Sequence, residues 1–247
     1  MTARIRLRNA CHSFPAFELG PLDLEVAAGS IHVVLGPNGA GKTTLIELVC
    51  GLRVPTSGEV ELNGHPLDPD DASRYRRLGY APDGEDNVPP ELTATELWEL
   101  CAVLHGRIEG HATAMTERAA QIAERLRFVP PRRPIGEYSH GMRRKCQLVA
   151  ALLHDPPAVV LDEPTNGLDP VAAHELGRVL AERALGGTAT LVASHDLMWT
   201  LRFADHLSIL DQGVIAAQGA PADVAGGAEA VEAVGEMFDR FVEGQRR

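Results

Sequence analysis

The chain reads as an α/β fold with a mostly parallel sheet, and three stretches predict it. Gly36-Pro-Asn-Gly-Ala-Gly-Lys42-Thr-Thr44 lies between an apolar run (Ile31, Val33, Val34, Leu35) and a helical pattern (Leu45, Ile46, Leu48, Val49). Ala158-Val-Val-Leu-Asp162-Glu163 is an apolar strand that ends in two carboxylates. Short apolar strands at 158–161, 189–193 and 207–210 alternate with helical stretches, as parallel strands covered on both faces do. A length of 247 residues supports one large domain with a real core.

The N-terminal run Met-Thr-Ala-Arg-Ile-Arg-Leu-Arg alternates basic and apolar residues. It suits an edge strand over 3–8 and lacks the apolar centre of a signal peptide. Strands are predicted at 22–26 and 31–35, and Val60 to Leu62 before Asn63-Gly64 reads as a strand and tight turn. From about 85 to 155 the pattern is helical. Thr93-Ala-Thr-Glu96 forms a capping box ahead of Leu97, Leu100, Cys101 and Leu104. A helix over 116–126 ends before Pro130, Pro131 and Pro134. Residues 228–242 place Val231, Val234, Phe238 and Phe241 or Val242 on one helix face. The expected organisation is a single domain over 1–247, with a helical insertion at about 85–155 and a helical extension at about 220–247.

Composition excludes several classes. A net charge of −11 opposes a sequence-independent grip on DNA or RNA, so no nucleic-acid partner is expected. The four cysteines (Cys11, Cys50, Cys101, Cys146) form no C-x-x-C pair and read as buried thiols of a reducing compartment. No stretch approaches the ~20 apolar residues of a membrane span.

The chemistry begins at residues 36 to 44, which fit G-x-x-x-x-G-K-[ST]. Backbone N–H groups of such a loop cradle phosphates, and the anion lies on a helix N-terminus where orphan donors and the dipole favour it. Gly36, Pro37, Asn38, Gly39, Ala40, Gly41, Lys42, Thr43 and Thr44 are therefore the expected nucleotide-binding residues of a P-loop NTPase core. Only two of the 23 basic residues are lysines, Lys42 and Lys145. Lysine is kept at position 42, where a compact ammonium must reach between phosphates. Ligands of open α/β sheets bind at the carboxyl ends of strands, so Asp162 and Glu163 should face the nucleotide. Asp162 is placed to hold Mg²⁺, with the Thr43 hydroxyl, and Glu163 to orient or deprotonate the attacking water.

After Glu163 come Pro164-Thr-Asn166-Gly-Leu-Asp169 and then Leu191-Val-Ala-Ser-His195-Asp. With these strings in this order, the chain resembles the ATP-binding subunits of ABC transporters over nearly its whole length. The resemblance implies an antiparallel β subdomain and an inserted α-helical subdomain around the parallel core, with ATP and Mg²⁺ bound. It makes Asn166 to Asp169 the loop that touches an opposing subunit, and His195 the histidine that hydrogen-bonds the γ-phosphate. Tyr138-Ser139-His140-Gly141-Met142 stands where the family has Leu-Ser-Gly-Gly-Gln. Ser139 and Gly141 match, while Tyr138, His140 and Met142 depart. Ser139 is expected to cap a helix over about 142–153 that faces the partner subunit's nucleotide. Arg143, Arg144 and Lys145 oppose the helix dipole there. They either add charge near the phosphate or form a solvated first turn that needs some compensating contact.

Two further positions keep two readings each. Asp83, in Gly79-Tyr-Ala-Pro-Asp83, replaces a family glutamine that reaches Mg²⁺. It is either a hard ligand acting through water or part of the favoured Pro-Asp-Gly turn. Phe14 lies where the family stacks an aromatic on adenine, yet Phe14 or Phe17 could equally be core. The variant signature with its Asp83 resembles the export branch. Implied partners are a second ATP-binding subunit, identical or different, and a separate integral membrane permease, with the chain cytoplasmic and peripheral on the inner face of the membrane. The alternative is a soluble ABC-type ATPase of DNA maintenance, translation or cofactor assembly. Neither tandem cassettes nor a long coiled-coil insertion supports it, and no Asn-Lys-x-Asp string supports a GTPase.

Overall fold

Two sheets and a group of helices make up the described residues, 3–68, 70–84, 87–105 and 111–225 of the computed structural model. A hairpin opens the chain, β1 (Ala3–Phe14) and β2 (Phe17–Ala27). Strand β3 (Ile31–Leu35) leads through the glycine-rich loop into helix α1 (Lys42–Val49). Next come β4 (Ser57–Leu62), the short β5 (His65–Pro66), α2 (Arg74–Arg77) and β6 (Leu78–Ala81). Three helices follow, α3 (Ala94–His105), α4 (His111–Arg125) and α5 (His140–Leu152). Helix α3 starts at the expected capping box: Thr93 Oγ1 accepts from Glu96 N (3.2 Å), and Glu96 Oε2 accepts from Thr93 N (2.8 Å). The chain then alternates through β7 (Ala158–Asp162), α6 (Pro170–Leu185), β8 (Ala189–Ser194), α7 (Leu197–Phe203) and β9 (His206–Asp211). Strand β10 (Val214–Gly219) and helix α8 (Pro221–Ala225) complete it. The helix expected over 228–242 lies outside the described residues.

The larger sheet runs β10-β9-β3-β8-β7-β6 and is parallel except for β10. Its parallel strands bring the carboxyl ends of β3, β6, β7 and β8 to one edge, where ligands of such sheets bind. Successive residues of β3 enter different layers. Val33 belongs to the core that includes Leu148 of α5 and Leu176 of α6, whereas Val34 belongs to the core that includes Leu45 and Leu48 of α1 and Leu7 and Leu24 of the hairpin. Helix α1 is covered from both sides by sheets, which is why Leu45, Ile46, Leu48 and Val49 are all buried.

The smaller sheet is antiparallel, in the order β2-β1-β4-β5. Strand β1 is therefore interior, not the edge strand that its basic alternation led us to expect. The arginines are tolerated there because acids on both neighbours meet them. Arg6 pairs with Glu25 of β2 (2.5 Å) and Glu61 of β4 (3.2 Å), while Ile5 and Leu7 enter the core.

Candidate active site

The loop after β3 is held by its glycines and by its own carbonyls. Gly41 has φ of 105°, and a Cβ on it would stand 2.7 Å from the Leu19 side chain. Only glycine fits that turn. Ala40 is buried and its N–H donates to the Pro37 carbonyl (3.2 Å). The first turn of α1 then leaves N–H groups without partners in the helix. They border a cavity of about 410 Å³ lined by Pro37, Asn38, Gly39 and Gly41 to Thr44. Asp83, Asp162 and Glu163 line the same cavity from β6 and β7, and Phe14 and Phe17 from the hairpin.

Lys42 is buried at the cavity floor. Its Nζ donates to the carbonyls of Gly36 (2.8 Å) and Pro37 (3.3 Å) and stands 3.4 Å from Glu163 Oε1. The Thr43 hydroxyl donates to Asp162 Oδ2 (2.9 Å), whereas Asp162 Oδ1 is buried without a hydrogen-bond partner. A buried, unpartnered carboxylate oxygen beside a hydroxyl is suited to a hard cation, so this pair fits Mg²⁺. Burial pushes the Asp162 carboxyl up to about 6, reinforced by Asp83 and Glu163 and opposed by Thr43 and Lys42.

Glu163 has a left-handed backbone, φ 46°, uncommon for a residue with a long side chain and a form of strain that collects at functional sites. Its Oε2 accepts from His195 N (3.2 Å) and lies 2.7 Å from His195 Nδ1. An ionised carboxylate only accepts, so Nδ1 carries the proton of that pair. A neutral ring then has no second N–H for a phosphate. Serving both takes the imidazolium, or a ring that releases Glu163.

Phe14 and Phe17 face each other across the end of the hairpin, both half-buried; Phe17 packs against the core shared by the hairpin and α1, whereas Phe14 does not. The Arg53 guanidinium lies over the Phe14 ring at 5.1 Å and is held by Glu47 of α1 (2.7 Å). Sequence reasoning missed this support, although an arginine just after the P-loop helix was visible.

Ser139 caps α5, its Oγ accepting from Met142 N (3.4 Å). Ser139, His140, Gly141 and Met142 do not line the nucleotide cavity. Instead the start of α5 packs on the loop after β7. A Cβ on Gly141 would stand 2.4 Å from the Gly167 carbonyl oxygen, and one on Gly167 would strike the His140 ring at 2.1 Å. Asp169 caps α6 through Val171 N (3.1 Å) and Ala172 N (2.9 Å), and pairs with Lys145 (3.1 Å). The solvated reading of the basic first turn is wrong for Arg144, which is 3% exposed and bonded to main-chain carbonyls. These bonds are the compensation that the opposed dipole required.

A family model for the ABC transporter matches residues 19–166. The chain belongs to that family. It is similar to the Nod factor export ATP-binding protein I of Cupriavidus metallidurans, 33% identical over 97% of this chain and 79% of that protein. It is also similar to the daunorubicin resistance ATP-binding protein DrrA3 of Streptomyces coeruleorubidus, 36% identical over 81% of this chain and 63% of that one. Among solved structures, the ATP-binding subunit of an ABC transporter matches with a TM-score of 0.84 and 29% identity, over 95% of this chain and 99% of the other. The family chemistry is ATP hydrolysis with Mg²⁺. Bound at Thr43 and Asp162, the metal would neutralise charge on phosphate oxygens.

Proposed function

We propose that this chain is the energy-coupling subunit of an export system. Two copies associate head to tail, each nucleotide held by one copy's P-loop and closed over by the other copy's Ser139 helix. One observation carries the reading. The P-loop, Asp83, Asp162, Glu163 and Phe14 converge on one open cavity, and the chain's own Ser139 helix, whose N–H groups suit a phosphate, lies outside it. A site divided in this way is completed by a second copy, and two-fold pairing is the simplest assembly that does so. Within it Lys42 and the loop N–H groups bind phosphate, Glu163 takes the proton of the attacking water, and His195 orients Glu163 and the γ-phosphate. Asp169 belongs to the loop that meets the partner, and a single cassette spans the chain.

The work is delivered to a separate membrane permease, with the chain peripheral on the inner face of the membrane. No helix among the described residues is long and apolar enough to cross a membrane. A groove of about 850 Å³ between α2, β6, α3 and α5, lined by Tyr75, Tyr80, Leu104 and His154, offers a seat for a permease helix. Tyr75, Leu100, Val103 and Leu104 are exposed around it. Export, rather than import, rests on relatives whose names specify export or drug resistance. Copurification from membranes, with the partner identified by mass, tests the coupling; a chain recovered without any membrane protein refutes it. Glu163→Gln should bind ATP, stall and accumulate dimers. A monomer with full turnover would sink both the base and the sandwich.

A further inference from the structure

We infer that Arg144 is the positioning residue that joins each copy's own metal-binding edge to the helix it presents to the other copy's nucleotide. The inference rests on the divided site proposed above. Arg144 lies at the start of the second turn of α5, five residues after the Ser139 cap, and is one of the few charged side chains buried among the described residues. Its guanidinium reaches three backbone carbonyls from two strand ends. Nη2 donates to the carbonyl of Asp162, Nε to that of Pro164 (3.4 Å), and Nη1 to that of Pro82 (2.5 Å). Those carbonyls bracket Asp162–Glu163 on one side and immediately precede Asp83 on the other. The Gln147 side chain extends the link, accepting from Arg144 Nη1 (3.1 Å) and donating to the Gly84 carbonyl (2.9 Å).

A planar fork with five donors can hold several carbonyls in fixed relative positions, which a single ammonium cannot. With Gly141 seated on Gly167 and Lys145 paired to Asp169, the start of α5 moves as one body with the segment from Asp162 to Asp169. A displacement of Asp83 or Asp162 on binding metal and nucleotide is therefore carried to Ser139. Each copy's occupied site then sets the helix that closes the other site. The carrier is a chain of direct contacts through one buried cation, the kind of physical connection that coupling between sites requires. Burial holds the Arg144 guanidinium below its usual range, countered by the nearby carboxylates Asp83, Asp162 and Glu163.

The test uses the full chain with Glu163→Gln as the background that traps dimers. In that background, Arg144→Gln and Arg144→Lys are compared for binding of a fluorescent ATP analogue by monomers and for ATP-dependent dimer formation by light scattering. The expected result is nucleotide affinity within about twofold and dimerisation weakened at least tenfold, with lysine restoring part of it. In the otherwise unaltered chain, the Hill coefficient for ATP should fall towards one. Unchanged dimerisation and Hill coefficient in folded variants would overturn the proposal. So would a parallel loss of nucleotide binding, dimerisation and melting temperature in both variants, which marks a merely structural role. If Glu163→Gln alone fails to dimerise with ATP, the divided site itself is refuted, a result separate from any effect at Arg144.

Discussion

Asp162→Asn gives the sharpest quantitative test of the site, because the wild-type carboxylate destabilises the metal-free fold. Asp162 is buried, and its folded value of about 6 lies above the ordinary 3.8. A raised carboxyl contributes stability in full below the unfolded value and loses it as pH rises through the folded one. Above about pH 7 the loss is about 3 kcal/mol, taking about 1.4 kcal/mol per unit. At pH 4.5 the same relation gives about 1 kcal/mol, so about 2 kcal/mol develops between pH 4.5 and 8. Asparagine cannot ionise, and its carbonyl oxygen can still accept from Thr43. Melting of both proteins in EDTA should therefore show a gap that favours the variant and widens by about 4–8 °C over that range. Titrating groups distant from Asp162 cancel in the difference. The variant should also gain nothing from Mg²⁺ beyond what ATP alone gives, and should not turn over. A gap that stays constant with pH, or a variant that melts below wild type at pH 8, refutes the reasoning.

Other substitutions separate the remaining roles. Lys42→Ala should abolish nucleotide binding, followed with a fluorescent analogue, and wild-type turnover in that variant would overturn the assignment of the cavity. Phe14→Ala should weaken nucleotide binding by about 1–3 kcal/mol, roughly 5- to 150-fold, and equally for ATP and GTP, because stacking tolerates any base; a loss confined to ATP would show hydrogen-bonded recognition instead. Asp83→Ala should shift the Mg²⁺ dependence of turnover and, in EDTA, tighten ATP binding by removing one of three carboxylates. Unchanged magnesium dependence would leave Asp83 as a turn residue only.

What could be read in the sequence depended on whether the information was contiguous. The phosphate loop, the strand ending in Asp162–Glu163 and the capping box at Thr93 are local patterns, and each formed where the residues indicated. Arg144 was not legible in the same way. Its partners are carbonyls of Pro82, Asp162 and Pro164, and a backbone carbonyl has no residue type to betray it. The dipole conflict at the start of α5 signalled only that some partner had to exist. Strand β1 failed for a related reason. Alternation told which side chains face solvent, but not that Glu25 and Glu61 would arrive on both flanks from other strands. The replacement of glycine by His140 became intelligible only with Gly167 beneath the ring.

The charges around the cavity explain why its parts have to work in order. Asp83, Asp162 and Glu163 line a space meant for a polyanion, and among the described residues lining it Lys42 is the single basic one. A phosphate chain alone would meet three carboxylates and one ammonium, so a divalent cation at Asp162 turns the largest repulsion into an attraction. Lys42 is meanwhile shared with Glu163 at 3.4 Å. A phosphate that draws the lysine away leaves the Glu163 carboxylate with His195, whose Nδ1 stands 2.7 Å from it. The same electrostatics predict which variant relaxes the site: removing the charge at position 83 relieves repulsion, whereas removing it at position 42 leaves two buried carboxylates without a cation between them and nothing to receive the phosphate.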